Sequence, residues 1–388
     1  MIVSRTLAIG GAIAARAGLM LVLSALVYAR ATPEQGALFF QILFLQGIVI
    51  AFLSAAGFFR AQGLKAEAVE SYLAGMLLMA LPSVALPVGA ALVLPAYAAE
   101  GAALFVMWLG AVCAALAAPL SSLVMQARGP WAAFLPAMAG AGLAAAALAL
   151  GARDHWDGLL PYLALAGFQA VTFAGLAVQM RGPLGAALGR IARRDLGPVW
   201  AHLRETAGVG AVNVAHLLAL FALREVWAGR AEAEIVAAVF LMLRLSDTAL
   251  QLVQMVLSGY GVAIRLFEAR RAPVVFGGMA LGAAVALGGL GALGSAWPVL
   301  LLALAMQVAV DVLRLPWSLG YLYQMTRFDL RRYALFTLTP PLMALVLGGW
   351  MIWGGRPVGM QAVALIVTVT GATVSLWHAQ GLRQDEGR

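Results

Sequence analysis

The chain has 388 residues, 63% of them apolar and 11% charged, where a soluble domain carries about 25% charge. That composition excludes an ordinary soluble enzyme and, with apolar runs near twenty residues, describes an all-α polytopic membrane protein. The net charge of +8 would suggest nucleic acid in a soluble protein. Here it belongs to cytoplasmic loops, which carry excess base, and no nucleic-acid partner is expected. Cys113 is the single cysteine, so no internal disulfide forms. The four histidines (His155, His202, His216, His378) are scattered without metal-ligand spacing, and neither metal nor cofactor is expected.

Taken in order, hydropathy and breaks predict about twelve spans, at 8–29, 36–59, 72–97, 101–126, 132–151, 158–180, 206–224, 235–264, 273–294, 297–321, 333–353 and 358–379. The opening run loosely imitates a cleavable signal, with Arg5 before it and Val27-Tyr28-Ala29 at its end. Arg16 splits that run, and its apolar part is long enough to span, so it is read as the first membrane helix. Pro82, Pro87 and Pro95 in the third span, and Pro340-Pro341 in the eleventh, should kink those helices. The longest stretch outside the spans, 181–205, is basic, carries Pro183 and Pro198, and divides the spans six and six. It is expected to be a cytoplasmic linker between an N-terminal six-helix bundle (1–180) and a C-terminal one (206–388). Its arginines suit either a solvated loop or an attraction for anionic lipid headgroups. Small residues crowd the ninth span, from Gly277 to Gly291, and let helices approach closely.

Loop charge sets the orientation. With the N-terminus inside, only Arg30, Arg153, Arg224, Arg230 and Arg356 lie outside, and Arg16, Arg244 and Arg314 lie within spans; the other 17 of 25 basic residues are on the inner side. Both termini are therefore expected in the cytoplasm. Trp131, Trp156, Trp200, Trp227, Trp297, Trp350, Trp353 and Trp377 sit near span ends, where interfacial anchors belong. Phe40 to Leu45 in the second span lines up with Phe240 to Leu245 in the eighth, a faint likeness between halves of the kind transporters show.

The stretch from Ile235 to Leu266 carries Arg244, Asp247, Gln251, Gln254 and Ser258 at spacings of three and four, one face of a helix. Lipid penalises a central Arg or Asp by roughly 3 kcal/mol, so that face must meet protein or water. Gln307, Asp311, Arg314 and Ser318 repeat the device in the tenth span. At 1.5 Å rise per residue, Arg16 lies about 12 Å and Arg244 about 14 Å into their spans, both near mid-membrane. Their planar guanidiniums suit phosphate oxygens; the alternatives are that Arg16 snorkels and that Arg244 pairs with Asp247. Asp311 and Arg314 form an i, i+3 pair near the inner edge that either gates or satisfies itself. Asp247 is a candidate coupling site, although Arg244 beside it opposes protonation. Asn213 and His216, also i, i+3, either line the same cavity or bond neighbouring helices.

Enzyme motifs are lacking: there is no Walker A pattern, no His-Glu-x-x-His and no Gly-x-Ser-x-Gly. The predicted outer loops are too short to hold a catalytic domain. The first half places Glu34, Glu67, Glu70, Glu100, Asp154 and Asp157 in loops or at span ends, and a cavity with Arg and few acids favours an anionic cargo.

The opening segment, Arg16-Ala17-Gly18-Leu19 through Tyr28-Ala29-Arg30-Ala31-Thr32-Pro33-Glu34-Gln35-Gly36-Ala37, with Phe59-Arg60 after the second span and the Arg-bearing eighth, resembles O-antigen-type polysaccharide flippases of the MOP exporter superfamily. The resemblance implies two six-helix bundles in a V, alternating access, and a cationic cavity whose arginines map to Arg16 and Arg244. It implies a non-enzymatic transporter of polyprenyl-pyrophosphate-linked saccharide in the bacterial inner membrane, with polysaccharide assembly proteins as candidate partners beside membrane lipid. The chain departs from some relatives in having no acid in the second span and twelve rather than fourteen spans. A multidrug or small-solute exporter of the same superfamily is the alternative, and a glycan polymerase or ligase a more distant one. The expected site is thus Arg16, Arg244, Asn213, His216, Gln251 and Gln254 for substrate, with Asp247, Asp311 and Arg314 for coupling or gating.

Overall fold

The computed structural model describes residues 18–54, 66–154, 158–244, 306–307, 309–313 and 330–385. Every regular element among them is helical. The spans expected at 273–294, at 235–264 beyond residue 244, and over most of 297–321 lie outside the described residues.

The helices are α1 (Gly18–Arg30), α2 (Pro33–Ser54), α3 (Ala66–Ala80), α4 (Ala85–Val93), α5 (Pro95–Ala98), α6 (Gly101–Arg128), α7 (Pro130–Asp154), α8 (Leu160–Gln179), α9 (Arg181–Ala192), α10 (Gly197–Ala228), α11 (233–244), α12 (Leu330–Trp353) and α13 (Gly359–Asp385). Segments long and apolar enough to cross a bilayer occur at Pro33–Ser54, Gly101–Met125, Pro130–Gly151, Leu160–Gln179, Ala207–Ala228 and Tyr333–Trp353. The chain is a multi-pass membrane protein. One face of α12 leaves Leu342, Leu345, Val346, Leu347 and Trp350 exposed, an apolar strip that belongs against lipid tails rather than water.

Local chemistry explains the helix ends and bends. Thr32 and Gln35 form a reciprocal cap at the start of α2: the Gln35 backbone N–H donates to Thr32 Oγ1 (3.3 Å), and the Thr32 N–H donates to Gln35 Oε1 (3.2 Å). Pro33 follows at the first helical position, where its missing N–H costs nothing. The third span breaks where Pro82 lacks an N–H, and Val69–Ala80 meets Pro82–Val93 at 41°. The break is sealed by polar bonds: Ser83 Oγ donates to the Ala80 carbonyl (2.6 Å) and accepts from Trp108 Nε1 (2.9 Å).

The chain divides into two compact units. The first comprises Met1–Ala31 and Ile42–Val214, the second Thr32–Gln41 and Ala215–Arg388. In the first, α8 packs along both α6 and α7. Its core joins Leu73, Leu120, Val124, Leu176, Ala187 and Val199, with a second cluster of Val49, Leu53, Met76, Ala111 and Ala115. Glycine makes the close α7–α8 approach possible: a Cβ at Gly175 would lie 2.8 Å from Pro136 Cβ, and one at Gly140 would lie 2.7 Å from the Phe168 carbonyl. In the second unit α12 packs along α13. Gly36, near the start of α2, brings Ala237 of α11 within 3.7 Å of its Cβ position.

The stretch read as a linker, 181–205, is helical over Arg181–Ala192 and again from Gly197, and α9 packs on α3. Trp227 is not an interfacial anchor: it is fully buried. Its Nε1 donates to the Arg356 carbonyl (2.8 Å) and its ring packs edge-on to Phe240, so the indole is satisfied inside the protein. Trp131, Trp200, Trp350 and Trp353 are exposed, as anchors should be.

Candidate functional site

Arg244 closes the described part of α11. Helical spacing places it on the face of Ala237 and Phe240, both buried at 3% and 2% exposure. Its own side chain is half-buried, with Nε sealed from solvent. The side chain therefore stands on a packed face of the second unit. The rest of the expected stripe, Asp247, Gln251 and Gln254, lies outside the described residues, as do Arg16 and Arg314.

His216 has a definite task. Its Nδ1 lies 2.7 Å from the Thr337 carbonyl in α12. In a regular helix that carbonyl would accept from the residue four positions on, but that residue is Pro341, which has no N–H. His216 supplies the missing donor, and this fixes a proton on Nδ1. The helix runs on as one element through Pro340-Pro341, and a side chain from another helix meets the carbonyl that Pro341 leaves free. Asn213, one turn earlier in α10, is half-buried.

Asp311 is half-buried and accepts from Gln307 Nε2 (3.0 Å). Ala309 and Leu313 of the same helical stretch pack toward Leu365 of α13. The 100° step per residue then turns Gln307 and Asp311 to the opposite side. Gln307 is 2% exposed, and its Oε1 has no hydrogen-bond partner.

Reasoning from charged residues alone missed the buried amides. In the first unit Gln46 Nε2 donates to Gln169 Oε1 (2.8 Å) and reaches the Met107 carbonyl (3.5 Å). A Cβ at Gly110 would collide with Gln169 Oε1, so only glycine leaves room for this pair. In the second unit Gln361, near the start of α13, is 0% exposed with both amide atoms unpaired. The signal available was glutamine inside an apolar span, where an amide must find a partner or remain costly. Among the described residues no cluster of His, Cys, Asp and Glu could hold a metal ion.

No family model matches the chain, and no curated protein matches it in sequence. Solved structures do match along its whole length. A MATE protein in the bent conformation gives a TM-score of 0.58 at 15% identity, covering 100% of this chain and 96% of the other. An outward-facing multidrug resistance MATE family transporter of the MOP superfamily gives 0.57 at 15% identity, covering 99% and 96%. An inward-facing structure described in the same words gives 0.55 at 14% identity, covering 98% and 96%. The chain has the fold of these transporters.

Proposed function

We propose that the protein is a transporter, without covalent chemistry, that flips a polyprenyl-pyrophosphate-linked saccharide across the bacterial inner membrane by alternating access, with both termini in the cytoplasm. The observation that carries this reading is Arg244, half-buried on the face of α11 shared with Ala237 and Phe240, in a stretch whose sequence predicts mid-membrane depth. A permanently charged planar fork in that setting suits a diphosphate, which offers paired oxygens. Arg16 is a further candidate cation on the sequence alone, and Asp311 with Gln307 a coupling or gating group. The polyprenyl chain would stay in lipid while the sugar crosses through protein.

One observation favours a second reading. Two of the similar structures are described as multidrug resistance transporters, and Asp311 is an acid a cationic cargo or coupling ion could use. The two readings separate on Arg244→Ala and Arg244→Lys. For the flippase, surface polysaccharide falls and lipid-linked precursor accumulates on the inner leaflet in Arg244→Ala, with partial recovery in Arg244→Lys. Unchanged export with both variants removes Arg244 from the mechanism. Efflux of cationic dyes by reconstituted protein, lost in Asp311→Asn and kept in Arg244→Ala, supports the exporter instead.

A further inference from the structure

We propose that the outward face of α9 is a binding site for anionic phospholipid headgroups. The site is independent of the cargo.

Its position follows from its neighbours. α8 ends at Gln179, α9 starts at Arg181, and α10 carries the next span from Ala207. A helix joining the ends of two spans lies at the bilayer surface. Its orientation is fixed by contacts within the first unit. Ala187 is fully buried in the core. Arg190 is tied to Glu70 (Nε to Oε2, 3.2 Å) and to Asp195 (Nη1 to Oδ2, 2.8 Å). Arg190 is therefore the anchor, with its charge spent inside the unit.

What α9 turns outward is unlike a solvated face. The exposed positions are Arg181, Gly182, Gly185, Leu188 and Ala192. Arg181 is the one polar side chain among them, and Leu188 is 52% exposed. A water-facing arc would alternate polar groups; an apolar arc flanked by arginine is the pattern of an interfacial helix. Arg193 and Arg194 follow at its end, both exposed, and Trp200 stands 56% exposed at the start of α10. Arg181, Arg193 and Arg194 have no carboxylate partner among the described residues. Trp beside Arg is the side-chain pairing of the headgroup layer.

Arg194 adds a backbone observation. Its φ is +56, the left-handed conformation that favours glycine. It closes α9, with the Asp195 N–H reaching the Arg190 carbonyl (3.0 Å). Arginine occupies a position where glycine would be less strained, so the charge is kept against a conformational cost. Anionic headgroups are the ligand that three surface arginines and an apolar arc recognise together.

The test uses full-length protein carrying Cys113→Ala and Leu188→Cys, labelled with a polarity-sensitive fluorophore and placed in nanodiscs. The probes are brominated phosphatidylglycerol and brominated phosphatidylcholine as quenchers at equal mole fraction. The expected result is stronger quenching by the glycerol lipid, decreasing about five-fold in lipid preference per arginine removed and approaching parity in Arg181→Gln/Arg193→Gln/Arg194→Gly. Salt supplies a second reading should that variant fail to fold: in the unsubstituted arginine background the preference collapses near 1 M, where the screening length is about 3 Å. Equal quenching by both lipids, a preference unmoved by salt, or a label that stays in water in both discs overturns the proposal.

Discussion

The two units treat buried amides differently. In the first, Gln46 is joined to Gln169, Trp108 to Ser83, and Gln179 to the Ala132 and Gly175 carbonyls. These amides and the indole are matched to neutral partners, while Ser24 Oγ is buried in the same unit with no partner. In the second, Gln307 Oε1, Thr337 Oγ1 and both amide atoms of Gln361 are buried without partners, and Arg244 and Asp311 share that unit. An unmet buried polar atom costs about 1–3 kcal/mol, so the unmet amides of the second unit call for a water, a ligand or another state that meets them. The first unit pairs its buried amides, and the second carries unmet ones beside Arg244 and Asp311.

Substitutions can break or sharpen that contrast. Gln46→Leu should have the largest effect on stability, about 1–3 kcal/mol by thermal or denaturant unfolding in detergent, because Gln169 then keeps a buried acceptor with no donor. His216→Ala should cost about 1–2 kcal/mol in the same measurement, since the Thr337 carbonyl loses the donor that replaces the Pro341 N–H. His216→Gln should recover part of it. The double variant Gln46→Leu/Gln169→Leu should lie within about 1 kcal/mol of the parent, because both partners leave together. A double-mutant cycle then gives a clear coupling; additive losses would mean the pair does not act as one. Gln361→Leu should have the smallest effect on stability and the opposite sign, raising it slightly while lowering transport. If it destabilises as Gln46→Leu does, the contrast between the units fails.

Much of the architecture was legible because lipid imposes length and apolarity on each span. The third span shows how local chemistry carries: Pro82 removes one N–H, and the helix bends 41° there. The half-buried position of Arg244 is the kind that a charge inside an apolar stretch demands. Partnerships were not legible. Gln46 and Gln169 are 123 residues apart, and an isolated glutamine in an apolar run has no period to betray its partner. Pro341 reveals which carbonyl it frees, four residues back, but nothing nearby identifies the donor as His216, 121 residues away. α9 was hidden by Gly182, Pro183, Gly185 and Gly189, whose low helix propensity is overridden by the Ala187 contact and the Arg190 ion pairs. Trp227 looked like an anchor because its acceptor, the Arg356 carbonyl, is 129 residues on.

The most direct measurement is binding of a polyprenyl pyrophosphate to the purified protein, comparing the parent, Arg244→Ala, Arg244→Lys and Gln46→Leu/Gln169→Leu. Losing a charge-assisted contact of about 1.5–3 kcal/mol predicts affinity at least about ten-fold weaker in Arg244→Ala. Arg244→Lys should fall between, and the first-unit pair should bind within about two-fold of the parent. Full affinity in Arg244→Ala, or a loss confined to the first-unit pair, would contradict the assignment of the anion to Arg244.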